Sequence, residues 1–213
     1  ITDTIGTSVM SITLFRSGGT ARRCTCMASW GGRLVAGLEN RLYVSSFTPA
    51  SDTTNPVPQW PALALEEADG WAEDVAPSNA EQIVSVVAGD SVYVLTQLSC
   101  RFYPSLKPGT DPEFVLGRGG ISRFGAIYVE SMLFWAAKDG VYSAQGRANT
   151  DELTKAIRRF YIDWLLPDDT VVLGYRKRKL FVYRGQRFLR YDFVTSRWTY
   201  GTQAFSVVGA MVY

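Results

Sequence analysis

The chain has 213 residues, 46% hydrophobic and 20% charged, which is enough to build a sizeable core and too apolar for a disordered tail. Twenty-two basic and 20 acidic side chains leave a net charge of +2, which argues against a surface given over to nucleic acid. The complete absence of histidine excludes Ser-His and Cys-His catalytic sets and His-bearing zinc sites, and three cysteines are too few for a disulfide scaffold.

An aromatic share of 13% with 19 glycines favours short strands separated by turns. No apolar stretch approaches the roughly 18–20 residues that span a bilayer. The opening segment Ile1–Thr13 lacks the basic region and cleavage site of a signal peptide. A chain that starts at Ile1 is expected to be processed, or a piece of a longer product.

In chain order, Cys24 and Cys26 come first, spaced to share one face of a strand as buried packing residues. A first hairpin follows at Arg33–Tyr43. The segment Thr48–Asn79, with Pro49, Pro56, Pro58, Pro61 and Pro77, reads as a loop insertion whose Trp60 and Trp71 pack back onto the sheet. Strand Ile83–Val87 leads into a second hairpin, Ser91–Phe102, and Gly117–Gly120 is a connecting loop without the Lys-Ser/Thr of a phosphate cradle. Strand Ala126–Val129 and hairpin Met132–Tyr142 come next. A helical insertion is expected over 149–166, capped by Asn149 with Glu152 three residues on. Leu153, Ile157, Phe160, Tyr161 and Trp164 form its apolar stripe, which packs on the sheet or is presented to a partner. Strand Val171–Tyr175, the basic run Arg176–Lys179 and hairpin Lys179–Leu189 are followed by Arg190–Tyr200, the outer part of the same unit. The closing Phe205–Tyr213 is expected to be the inner strand of another, unfinished unit.

These segments are one repeat. Leu34, Val92, Leu133 and Leu180 anchor the four hairpins, and eight positions later each has an apolar residue: Leu42, Cys100, Val141 and Phe188. A constant offset is what a fixed loop length produces, because turn geometry pins register. Anchors roughly 40–60 residues apart match the length of a propeller blade. The expected fold is therefore all-β: one domain, 1–213, holding a β-propeller-like array of about four to five antiparallel blade-like units with one short helix inserted. Open sheet edges are a liability, so the array is expected to be completed by missing sequence or by a neighbour.

Few residues suggest chemistry. The carboxylate pairs Glu66-Glu67, Glu73-Asp74 and Asp168-Asp169 are the only basis for a propeller hydrolase, and they sit in turn-like contexts. No catalytic, cofactor-binding or metal-binding residue is assigned. Arg158, Arg159, Arg176, Lys177, Arg178 and Lys179 are the candidates for DNA or partner contact; repeated around a ring of subunits they would line a channel with positive charge.

From Gly120 through the Asp139-Gly140-Val141-Tyr142 turn to Leu153–Phe160, and in Trp30–Ser46, the chain resembles tailed-bacteriophage virion proteins of the tail-nozzle, packaged-DNA-stabilisation type. The resemblance implies a non-enzymatic structural protein in the virion tail, assembled in the host cytoplasm. It also implies a homo-oligomeric ring that helps retain packaged DNA and contacts adaptor, fibre or needle proteins, with no membrane span. The chain is shorter than such proteins, which carry further tube-forming domains. The rival readings are a propeller module that binds carbohydrate or protein and, third, a carboxylate-dependent hydrolase.

Overall fold

A computed structural model describes residues 13–14, 22–45, 71–75, 81–146, 149–165, 170–207 and 211–212. Sixteen of its strands form four successive antiparallel blades. The chain enters through a two-strand pair, β1 (Thr13–Leu14) and β2 (Arg22–Arg23). The first blade comprises β3 (Cys26–Trp30), β4 (Arg33–Leu38), β5 (Arg41–Val44) and β6 (Trp71–Asp74). The second comprises β7 (Ile83–Ala88), β8 (Val92–Thr96), β9 (Cys100–Tyr103) and β10 (Glu113–Leu116). The third comprises β11 (Ala126–Val129), β12 (Met132–Ala136), β13 (Val141–Gln145) and β14 (Asn149–Glu152). The fourth comprises β15 (Val171–Arg176), β16 (Lys179–Arg184), β17 (Arg187–Asp192) and β18 (Arg197–Thr202), and β19 (Met211–Val212) pairs parallel to β15 at its inner edge. The all-β, propeller-like expectation holds, and among the described residues the blades number four.

Local sequence explains the turns. Type I′ two-residue turns need positive φ at both positions, and Glu130-Ser131 and Lys177-Arg178 adopt φ of 50°, 60°, 49° and 59° between their paired strands. Gly185 supplies φ 57° between β16 and β17 without a side-chain penalty.

Alternation then sorts the side chains into seams. In blades one to three the residue one after the anchor and the one eight after it face the next blade, and in blades two to four the anchor itself faces the previous one. Val35 and Leu42 meet Val92 and Val94 between blades one and two. Tyr93 and Cys100 meet Leu133 and Trp135 between blades two and three. Phe134 and Val141 meet Leu180 and Val182 between blades three and four. Of these twelve side chains the most exposed, Phe134, is 3% exposed. Burial of such side chains contributes about 1.5–3 kcal/mol each, so the offset visible in the sequence is the packing code of the array.

Four expectations are corrected. The insertion 48–79 includes a blade strand: Trp71 is core, donating from Nε1 to the Leu106 carbonyl at 3.3 Å, while Trp60 lies outside the described residues. Asn149 and Glu152 do not cap a helix; they pair with Gln145 and Tyr142 as β14. A helix starting there would leave the outer edge of β13, whose Ser143 and Ala144 are buried, without backbone partners. The helical segment begins instead with a 3-10 turn at Lys155–Ile157 and continues as α1 (Arg158–Leu165). Cys24 precedes β3 rather than lying within it, and both thiols are free. Finally, the C-terminal segment starts no fifth blade, since β19 joins the fourth sheet.

Candidate functional site

Strand alternation divides the loops between two ends of the blades. First-to-second turns share one end; second-to-third turns and the connections between blades share the other. Side-chain contacts run along the first end from blade to blade. Trp30 Nε1 donates to the Gly89 carbonyl at 3.1 Å, and the Tyr128 hydroxyl donates to Asp90 Oδ2 at 2.6 Å. Tyr175 occupies in blade four the place of Tyr128 in blade three, two residues before the turn. Burial and then the Glu130 carboxylate lift its hydroxyl to about 12. Sequence reading missed these aromatic-to-turn ties, because each partner lies on another blade. The matched positions of Tyr128 and Tyr175 were the available signal.

The predicted basic residues are split between the two ends. Arg176, Lys177 and Arg178 are exposed on the first-to-second turn of blade four. Lys179 is partly buried and pairs with Asp192 at 3.5 Å. Arg158 and Arg159 lie on α1, within the connection from blade three to blade four and hence at the opposite end. Arg158 is held by Glu152, which raises its guanidinium above the ordinary value. The corresponding turns of blades two and three carry Asp90 and Glu130. Among the described residues of these turns the basic run is therefore local to blade four and does not continue onto blades two and three.

Helix α1 packs its stripe inward. Tyr161 is fully buried and donates to the Ala137 carbonyl at 2.9 Å, and Trp164 is buried beside it. Phe160 departs from that pattern: it is 49% exposed, with its ring 6.1 Å from Tyr200.

The one carboxylate pair among the described residues, Glu73-Asp74, does not converge. Consecutive strand residues point to opposite faces, so Glu73 enters the seam between blades one and two while Asp74 is exposed on the other side. Burial raises the Glu73 carboxyl, partly offset by the Tyr103 hydroxyl, and burial likewise pushes Tyr103 up. Glu66-Glu67 and Asp168-Asp169 lie outside the described residues. Among the described residues no three His, Cys, Asp or Glu side chains gather as a metal site, and no helix is long and apolar enough to cross a membrane. Arg118 of the Gly117–Gly120 loop pairs with Asp139 at 2.6 Å, and its carbonyl accepts from Trp135 Nε1.

A cluster of partly exposed rings lies on one face of blade four. Phe181, Tyr183 and Phe188 lie on the face turned away from blade three, their centroids 5.6 to 6.1 Å apart and all partly exposed.

No family model matches the chain, and no curated protein matches it. Among solved structures it is similar to the extracellular domain of a putative one-component system from B. thetaiotaomicron. The identity is 10%, over 88% of this chain and 24% of that one, with a TM-score of 0.52. The extracellular domain of a putative hybrid two-component system from the same organism matches at 10% identity over 92% and 24%, with a TM-score of 0.51. At such identity the likeness is one of fold alone, and the chain spans about a quarter of the length of these structures.

Proposed function

We propose that the chain is a structural subunit of a larger assembly, a bacteriophage tail component of the nozzle type that works through packing surfaces. The observation that carries this reading is that the described blades do not close on themselves. Three core seams join four blades and, among the described residues, no core cluster joins the last blade to the first. A propeller normally closes on itself, so an array left open among the described residues is suited to being completed by a neighbour or by further sequence. The resemblance through Asp139–Tyr142 and Trp30–Ser46 supports the tail assignment. In that setting the Arg176–Lys179 turn would reach DNA only where several subunits bring their turns to a shared channel.

The test is quantitative mass spectrometry on gradient-purified particles released from cells that carry the gene. The chain is expected in the particles at a fixed ratio to the portal protein. Its absence from them would overturn the tail reading. Glycan-array binding by the purified chain would instead favour a carbohydrate-binding module.

A further inference from the structure

We infer that the outer edge of β18 is a docking site for an extended, acidic segment of a partner protein, which adds to the fourth sheet as a further strand. The inference goes beyond the tail reading, since such an edge serves a partner in any assembly. Nor does it turn on which blade is last: a blade stacked on either face of blade four leaves the outermost strand at the perimeter. Its basis is backbone direction. The Gln203 amide donates to the Gln186 carbonyl at 2.8 Å, directly beyond the Arg187–Thr202 pair. Bonding alternates along an antiparallel strand, so Arg197, Thr199 and Gly201 bond β17 while Trp198, Tyr200 and Thr202 turn their amides and carbonyls outward. Among the described residues no strand pairs with that edge. The side-chain bonds of β18 run elsewhere: Thr199 Oγ1 accepts from Arg190 Nε at 3.0 Å, and Trp198 Nε1 donates to the Leu153 carbonyl at 2.8 Å.

The other three outer strands are blunted, as exposed edges usually are. On β6 the outward Ala72 carbonyl accepts from Arg41 Nη2 at 3.4 Å. Strand β10 breaks register between Phe114 and Leu116. On β14 the outward Glu152 amide is taken by Asp151 Oδ1 at 2.8 Å. Each of these strands has four residues, whereas β18 has six in unbroken register. The flanking side chains choose the occupant. Val171–Thr202 carries eight basic residues and one acidic, Asp192, which is already engaged by Lys179 and by the amides of Val194 and Thr195. Arg197 and Thr199 share one face of β18 with Arg190, and both are exposed. On the other face Tyr200 meets Phe160 of α1, and these rings are 51% and 49% exposed. An added strand would set its alternate side chains against arginine on one face and aromatic rings on the other, which suits acidic and apolar residues in alternation. A polynucleotide would answer the charge but leave the row of outward backbone groups unpaired.

The test titrates the full 213-residue chain into a fluorescein-labelled peptide of alternating glutamate and valine, read by anisotropy. Saturable binding below millimolar is expected, with the lysine–valine counterpart at least about tenfold weaker. Of two copies N-methylated at alternate backbone nitrogens, the one that loses its edge-facing amides should also bind at least about tenfold less tightly. Thr202→Pro removes an outward amide and spares the β17 ladder; it should weaken binding about three- to tenfold. Arg197→Glu should shift the ratio of the two affinities at least about tenfold toward the lysine peptide. Circular dichroism checks that both variants fold, and hydrogen exchange on the unaltered chain needs no variant: bound peptide should protect the amides of Trp198, Tyr200 and Thr202. No saturable binding below millimolar, binding that leaves those amides unprotected, or tighter binding of oligothymidylate than of the acidic peptide would each overturn the inference. Peptide binding by a chain absent from virions would leave this edge standing and the tail reading refuted. An inert edge on a chain present in virions would do the reverse.

Discussion

Gly119→Ala is expected to be one of the most damaging small substitutions in the protein, whereas Gly117→Ala, two residues away, should be tolerated. The loop from β10 to β11 crosses the turn between β8 and β9, and the Gly120 amide donates to the Thr96 carbonyl at 2.9 Å. A Cβ on Gly119 would stand 2.3 Å from the Thr96 oxygen and the Gln97 carbonyl carbon, both backbone atoms. That turn is itself braced, since Thr96 Oγ1 and Ser99 Oγ donate to Glu81 at 2.7 and 2.8 Å. Overpacking costs about 1–3 kcal/mol, and losing the neighbouring backbone bond adds about 1, giving roughly 3 kcal/mol. For a chain of this length that lowers the melting temperature by about 6–12 °C. On Gly117 a Cβ meets only Phe114 Cζ, at 3.5 Å. Alanine there should change stability by less than about 1 kcal/mol, in the favourable direction if the narrower unfolded ensemble dominates. Differential scanning calorimetry with urea titration decides the matter. Equal melting temperatures for the two variants, or a Gly119→Ala protein within about 1 °C of wild type, would refute the packing of this loop.

Phe134→Ala removes a ring buried between blades three and four, 5.4 Å from Phe193 and 6.4 Å from Tyr175; a loss of about 3–5 kcal/mol in urea unfolding is expected. Burial pushes the Cys26 thiol up to about 12 and raises Cys100 as well, so at pH 8 only on the order of one Cys26 in 10⁴ is thiolate. In native labelling with a maleimide, Cys24 should react first, with Cys26 and Cys100 modified only on denaturation; three equally fast thiols would contradict the packing. Glu73 titrates above its unfolded value because burial disfavours its charge, so the folded protein binds more protons than the unfolded chain between the two values. Its destabilising effect is absent below the ordinary carboxyl value near 4.5 and complete above the raised one. Glu73→Gln should therefore raise the melting temperature at pH 7 and lose that advantage by pH 4, and a gain independent of pH would refute the assignment.

Much of this protein was legible in its residues. Strand alternation and turn length act over a few positions, so the hairpins at Arg33–Tyr43, Met132–Tyr142 and Lys179–Leu189 and the eight-residue offset could be read without a structure. What the local pattern could not supply was any choice made by a distant partner. Trp71 sits in a proline-rich stretch and becomes a strand because β5 needs an outer neighbour. Asn149–Glu152 has the composition of a helix start, yet the free edge of β13 outbids it, since buried backbone groups must be paired. The ties from Trp30, Tyr128 and Tyr175 to the turns of adjacent blades, and the separation of Arg158–Arg159 from Arg176–Lys179 to opposite ends, follow from how blades stack. The sequence by itself determined the period and the faces, because register is a local consequence of turn geometry. Only the tertiary structure decided which faces meet, because that depends on how distant blades stack on one another.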